Sequence, residues 1–246
     1  MNAASLGVTI EDPAYTFIAT MTDKAGNTIA TTTALSYIVD CIPPVINSLS
    51  AEVVGGGIAT IGRQILFRAN VSLADGNAPT VNLATFGGSS IQQMNSAGGS
   101  DYTYTATVPS GTWESSTASW SIAIYDSRGN FVSSFTNTLT IDNKPPQAGS
   151  LQVSWVDVPA DGMIRLGNAA SFTIAISDPA NAGTATIDLT AIGRGSAEQM
   201  VYSNGSFSLS LSTLAASAEY ANYAFTALVT DAKGNPLTVT STAVTE

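Results

Sequence analysis

Three copies of one pentapeptide frame, Asp-x-x-Gly-Asn, recur along this chain at nearly constant spacing. Their aspartates are Asp23, Asp126 and Asp231, 103 and 105 residues apart. Each closes a stretch in which apolar and polar residues alternate: 15–27, 120–130 and 223–235. A second frame, Asp-x-x-Pro-Pro, puts Pro43-Pro44 and Pro145-Pro146 102 residues apart. Two independent markers at one period mean tandem copies of a single folding unit. The boundaries that follow are 43–144 and 145–246 for two full modules. Residues 1–42 correspond only to the last part of a preceding one.

The upstream parts of the two full copies align as well. Phe67, Ala69 and Val71 answer to Phe172, Ile174 and Ile176. The run Val81, Leu83, Phe86, Gly87 answers to Ile187, Leu189, Ile192, Gly193, and Met94 answers to Met200. Tyr102, Tyr104 and Ala106 answer to Phe207, Leu209 and Leu211. These runs have period 2 and are bounded by Gly, Pro, Asn or Ser, the pattern of half-buried strands. The nearest approach to a helix is a single turn within 211–222. About seven short strands in roughly 100 residues predict an all-β fold of tandem immunoglobulin-like antiparallel β-sandwiches. Phe17, Trp120 and Phe225 share one position on the penultimate strand and are expected in the core. Three strands bury too little to stand alone, so 1–42 is expected to lean on a neighbour, pair with another chain, or reflect where a longer chain was cut.

Composition removes several functions. Eight Lys and Arg are scattered through 246 residues, against 18 Asp and Glu. Nucleic-acid binding needs clustered positive charge and is excluded. There is no His, so neither a Ser-His-Asp system nor a His-based zinc site can form. The single Cys41 allows no internal disulfide, and its junction position leaves open an intermolecular one. No apolar run approaches the 18 or so residues of a membrane span, and residues 1–7 have no features of a signal peptide. Paired carboxylates can hydrolyse glycosides, but no acidic pair recurs in both modules away from the turns and linkers. The chain is therefore expected not to be an enzyme.

At Phe17–Ile46 and at Ile122–Gln147, the alternating strand, Asp-x-x-Gly-Asn hairpin, last strand and Asp-x-x-x-Pro junction resemble bacterial Ig-like repeats of large secreted and cell-surface adhesins. Cys41 departs from that pattern, standing where Thr is usual. The resemblance implies an extracellular or bacterial cell-surface stalk whose partners are neighbouring Ig-like repeats. A host or matrix glycan or protein would be a further partner of the parent.

The acidic residues supply the candidate site. In a sandwich of this type the first strand starts at the pole carrying the BC, DE and FG loops, so each linker is delivered beside those loops. At the first junction this predicts Asp40 near Asp75, Asp101 and Asp126, faced by Glu11 and Asp12. At the second it predicts Asp142 near Asp178 and Asp231, faced by Glu114. Ten of the 18 acids thus fall near two junctions. Calcium takes six to eight oxygen ligands, and a bridging Ca²⁺ is one expectation. The other is a hairpin loop in which Asp accepts backbone N–H bonds, Gly takes a positive φ and Asn continues the strand. Three functions remain open. They are a structural spacer, a binding module with Trp113 and Tyr125 as the aromatics of interest, and an assembly subunit completed by a neighbour's strand.

Overall fold

The computed structural model describes residues 14–30, 35–38, 40–72, 77–114, 116–156, 167–178, 181–213 and 223–243. Asp75, Glu11, Asp12 and most of the stretch with a possible helical turn lie outside them. The alternation read from the sequence becomes strand. The first segment is a hairpin in two steps: β1 (Ala14–Phe17), β2 (Thr20–Thr22), β3 (Thr28–Ala30) and β4 (Leu35–Ile38), with β1 paired to β4 and β2 to β3.

The middle module runs β5 (Val45–Val53), β6 (Gln64–Ser72), β7 (Thr80–Asn82), β8 (Gln92–Gln93), β9 (Asn95–Gly98), β10 (Asp101–Thr107), β11 (Ser116–Tyr125) and β12 (Phe131–Ile141). Its sheets are ordered β5-β6-β10-β9 and β12-β11-β7-β8. The last module repeats this with β13 (Gln152–Trp155), β14 (Ala170–Ala175), β15 (Ala182–Ile187), β16 (Glu198–Gln199), β17 (Val201–Ser203), β18 (Ser206–Leu211), β19 (Thr226–Asp231) and β20 (Pro236–Thr240). The orders there are β13-β14-β18-β17 and β16-β15-β19-β20. These are the two antiparallel sheets of an immunoglobulin-like sandwich. The fourth strand of each module is shared between sheets. It breaks at Met94 and at Met200, both buried, so that β8 and β16 join one sheet while β9 and β17 join the other.

One detail differs from the sequence reading. Leu83–Phe86 and Leu189–Ile192 do not continue as strand but wind into 3₁₀ turns at Ala84–Phe86 and Thr190–Ile192, each closed by a glycine at positive φ. Turn-forming side chains decide this. Asn82 Oδ1 accepts from Ala84 N, and Asp188 Oδ1 accepts from Thr190 N and Oγ.

On β6 the apolar set Ile65, Phe67, Ala69 and Val71 points inward while Gln64, Arg68 and Ser72 point out. Phe67 meets Trp120 edge to face at 5.0 Å, and Phe172 meets Phe225 at 5.1 Å. Such contacts add about 0.5–1.5 kcal/mol beyond area burial. The expected core placement of Trp120 and Phe225 holds, and Trp120 Nε1 is buried with no hydrogen-bond partner. The Phe17 side chain lies outside what the structure describes.

By contact density the chain divides into two compact units. One comprises Met1–Ala51, Leu66–Thr105 and Ser119–Thr138; the other comprises Glu52–Ile65, Ala106–Ala118 and Leu139–Glu246. The sheets follow the repeat, whereas contact density groups each linker with the loops around it. The second unit holds the apolar cluster from Leu151 to Val239, centred on Phe172, Ile174, Ile187, Phe207 and Phe225.

Gly183 marks a close approach of two backbones in that unit. The β15–β19 register shifts between Ala182 and Thr184, leaving Gly183 as a bulge. A Cβ there would lie 2.4 Å from the Thr230 carbonyl oxygen and 2.5 Å from Asp231 backbone atoms. Gly183→Ala should therefore destabilise by about 1–3 kcal/mol, as overpacking does. Urea unfolding checks this; an unchanged midpoint would contradict the bulge geometry.

Candidate functional site: turns and linkers

The three Asp-x-x-Gly-Asn turns share one local chemistry. Asp23 Oδ1 accepts from Ala25 N and Asn27 N, each at 2.9 Å. Asp126 Oδ1 accepts from Arg128 N and Asn130 N, and Asp231 Oδ1 from Lys233 N and Asn235 N. Gly26, Gly129 and Gly234 all have positive φ, between 89° and 100°. The hairpin expectation is met, with one correction. The Asn does more than continue the strand: Asn27 Nδ2 donates to Asp23 Oδ2, and Asn235 Nδ2 donates to Asp231 Oδ2, both at 2.9 Å.

These bonds favour the charged carboxylate. The Asn27 side chain, its backbone N–H and those of Ala25 and Gly26 hold Asp23 below the ordinary value of 3.8. Burial pushes Asp126 upward, but the Asn130 side chain and the N–H groups of residues 128–130 together outweigh it, so Asp126 also sits low. Thr190 lowers Asp188 in the same way. A carboxyl with a depressed folded pKa stabilises the fold above its unfolded value, and that contribution disappears as pH falls through the folded one. Stability should thus hold from neutral pH down to about pH 5 and decline as pH drops through 3.8 and below. Thermal melts at pH 7, 5, 4 and 3 test this; an unchanged Tm at pH 3 would contradict it.

At the second linker, Asn235 is fully buried (0 % exposed). Its Nδ2 also donates to Asp142 Oδ1 at 2.7 Å, and its Oδ1 accepts from Ile61 N at 2.9 Å. One amide thus bridges two buried carboxylates, Asp142 (3 % exposed) and Asp231. Beside it, Asn181 Nδ2 donates to Asp178 Oδ2 at 3.0 Å and to Glu114 Oε1. Lys144 Nζ lies 2.6 Å from Glu114 Oε2, a contact that raises the Lys144 pKa.

The linker backbone is equally occupied. Asn143 N and Lys144 N donate to Trp113 O, Asp142 N donates to Ala59 O, and Gly111 N donates to Asn143 O. The Asn143 side chain accepts from Trp113 N and donates to Pro109 O. Gly111 is needed there, because a Cβ would come within 2.5 Å of Asn143 Nδ2. All of these groups belong to the second compact unit.

At the first linker the arrangement is looser. Asn130 Nδ2 reaches the Asp40 carbonyl at 3.4 Å, and Asp40 Oδ1 accepts from Ile42 N at 3.1 Å. The Asn130 amide lies close enough to favour the Asp126 carboxylate but turns toward Asp40, and Asp126 Oδ2 is buried without a hydrogen-bond partner. Asp101 is engaged elsewhere, accepting from Asn70 Nδ2 at 2.7 Å on the outer face of the β5-β6-β10-β9 sheet.

Sequence reasoning thus named the acids at the second linker and missed the amides between them. Among the described residues, no three His, Cys, Asp or Glu side chains converge as metal ligands do. Of the acids expected to gather, Asp142 with Asp231 and Asp178 with Glu114 meet in pairs, each through an asparagine. The recurrence of Asn at 27, 130 and 235 was the available signal.

No family model matches the chain, and no curated protein matches it. Among solved structures it is similar to fibronectin(III)-like modules of Clostridium thermocellum CbhA. The identity there is 14 % over 80 % of this chain and 92 % of that one, with a TM-score of 0.29. It is also similar to the titin domains z1z2 in complex with telethonin, at 11 % identity over 85 % and 98 %, with a TM-score of 0.30. What makes both full modules immunoglobulin-like is their own strand order and the shared fourth strand that crosses between sheets.

Proposed function

We propose that this chain is a non-enzymatic spacer. It would be a run of tandem Ig-like modules from a larger secreted or bacterial cell-surface protein of the adhesin kind, holding another domain away from its anchor. The observation that carries this reading is the second linker. A spacer must not fold back at its joints, and three consecutive linker residues there are held by side-chain and backbone bonds to the loops around them. Pro145-Pro146 adds fixed φ angles directly after them. Pulling the chain by its ends tests the reading. Each full module should unfold as one event, lengthening the chain by about 30–35 nm at the extended reach of a polypeptide. Continuous yielding without discrete steps would overturn it.

A calcium titration of the same protein decides between amides and a cation at the joints. With amides as the bridges, calorimetry gives no heat and Tm does not move. A calcium-dependent rise in Tm would favour bridging Ca²⁺ and overturn the amide-only joint.

A second reading has one observation behind it. Tyr125 (52 % exposed) and Phe131 (48 % exposed) stack with centroids 4.7 Å apart and planes 32° from parallel. An exposed aromatic pair suits a glycan or a protein side chain. The bland alternative is a cross-strand pair that steadies its own hairpin, as the Thr22–Thr28 hydroxyl pair does at the matching place in the first copy. Retention on a panel of immobilised glycans or matrix proteins, lost in Tyr125→Ala/Phe131→Ala, would favour binding over spacing.

A further inference from the structure

The outer faces of the two full modules differ at a few matched positions. Phe67 answers to Phe172 and Tyr102 to Phe207, so Arg68, Asn70 and Asp101 of the β5-β6-β10-β9 sheet answer to Thr173, Ala175 and Ser206. Asn47, four residues after Pro43, answers to Gly149, four after Pro145. The register agrees: Ala175 is paired with Ser206, where Asn70 bonds Asp101. The last module thus folds with neither charge nor amide at these four places. In the middle module they form a chain of hydrogen bonds. Asn47 Nδ2 donates to Asn70 Oδ1 at 2.8 Å and to Ser72 Oγ at 2.9 Å, and Asn70 Nδ2 donates to Asp101 Oδ1 at 2.7 Å. The Asp101 carboxylate is held in one orientation, and among the described residues no group bonds its Oδ2.

We propose that this face of the middle module is a binding site for a neutral saccharide. Beside the bonded chain lies a groove of about 460 Å³ lined by Ser48, Ser50, Arg68, Asn70, Asp101 and Thr103. That volume falls within the roughly 300–1,000 Å³ of small-ligand sites. Its polar groups complement the hydroxyls of a sugar ring. Asp101 Oδ2 only accepts, the Arg68 guanidinium only donates, and the three hydroxyls do either. A sugar hydroxyl is itself both donor and acceptor, so neighbouring hydroxyls on a ring pair with such a mixed set. One positive and one negative group give the groove no net sign, which favours neither a polyanion nor a cation. Ala97 and Tyr102 also line it and add carbon surface for the C–H face of a ring. Fixing Asn70 and Asp101 before a ligand arrives lowers the ordering cost of binding. The site lies on the sheet opposite the one carrying Tyr125 and Phe131. It goes beyond the spacer reading, since a spacer needs no ligand.

The test titrates the whole isotope-labelled chain with glucose, galactose, mannose and N-acetylglucosamine, and with the charged N-acetylneuraminic acid, following backbone amide shifts by NMR. At least one neutral sugar should saturably shift the amides of residues 47–50, 68–70 and 101–103 and leave the matching residues 173–175 and 206–208 unmoved. Asp101→Asn keeps the shape and the bond from Asn70 but replaces the free acceptor with a donor. It should weaken binding about 10-fold, as expected for losing a hydrogen bond to a charged group. Arg68→Thr/Asn70→Ala/Asp101→Ser gives the middle module the residues of the last one, whose fold carries them. This variant should keep its melting transition and lose the shifts. The proposal is overturned if no neutral sugar moves these amides, if only the charged sugar does, or if the shifts survive the triple substitution. Shifts confined to the surroundings of Tyr125 and Phe131 would also overturn it, since they put the sugar on the aromatic pair instead.

Discussion

Replacing Asn235 by Ala should cost about 2–4 kcal/mol, since hydrogen bonds to charged groups contribute about 1.5–3 kcal/mol and a buried polar group left unmet costs about 1–3 kcal/mol. The side chain is fully buried and satisfies three groups at once: Asp142 Oδ1, Asp231 Oδ2 and Ile61 N. Alanine leaves both carboxylates without this donor and Ile61 N–H without its acceptor, and an unmet buried polar group is costlier than a hydrogen bond is favourable. For a unit of this size the loss corresponds to a fall in Tm of roughly 10 °C. Asn235→Asp sharpens the point, because it keeps the shape but sets three carboxylates together. It should be at least as harmful as alanine at pH 7, because like charges at close range repel. Asn27→Ala is the internal comparison. It removes the same bond to the turn aspartate on an exposed hairpin and should cost under about 1 kcal/mol. Equal, small effects at positions 27 and 235 would mean that the amide bridge does not hold the second linker.

The second large effect is Ile124→Ala, expected to cost about 2–5 kcal/mol as a buried large-to-small change. Met21→Ala occupies the matching place in the first copy and should change stability by no more than about 0.5 kcal/mol, as surface substitutions do. Chemical denaturation of the two variants side by side measures the contrast. A large loss at Met21 would show that its face is already covered.

The pairing of these variants shows how far reading from the residues could go. The alternation in 120–125 and 226–231, the turn frame and the period each specify local geometry within a few residues, and β11, β19 and the three hairpin turns follow. The same reading extended strand through Phe86 and Ile192, where Asn82 and Asp188 instead bend the chain by bonding two residues ahead. It also placed Asp101 with the junction acids, although Asn70, 31 residues away in sequence, holds that carboxylate on a sheet face.

Sequence by itself determined that this chain is built from repeated β-sandwiches and that Asp-x-x-Gly-Asn makes a tight turn. Those outcomes depend on side-chain period and on hydrogen bonds spanning two to four residues. Tertiary structure alone decided what each identical turn is for. Asp23 and Asn27 face solvent, whereas Asp231 and Asn235 close around Asp142 from 89 residues upstream and Ile61 from 174 residues before Asn235. Which loop meets which linker depends on contacts between residues far apart in the chain, and no local pattern encodes those.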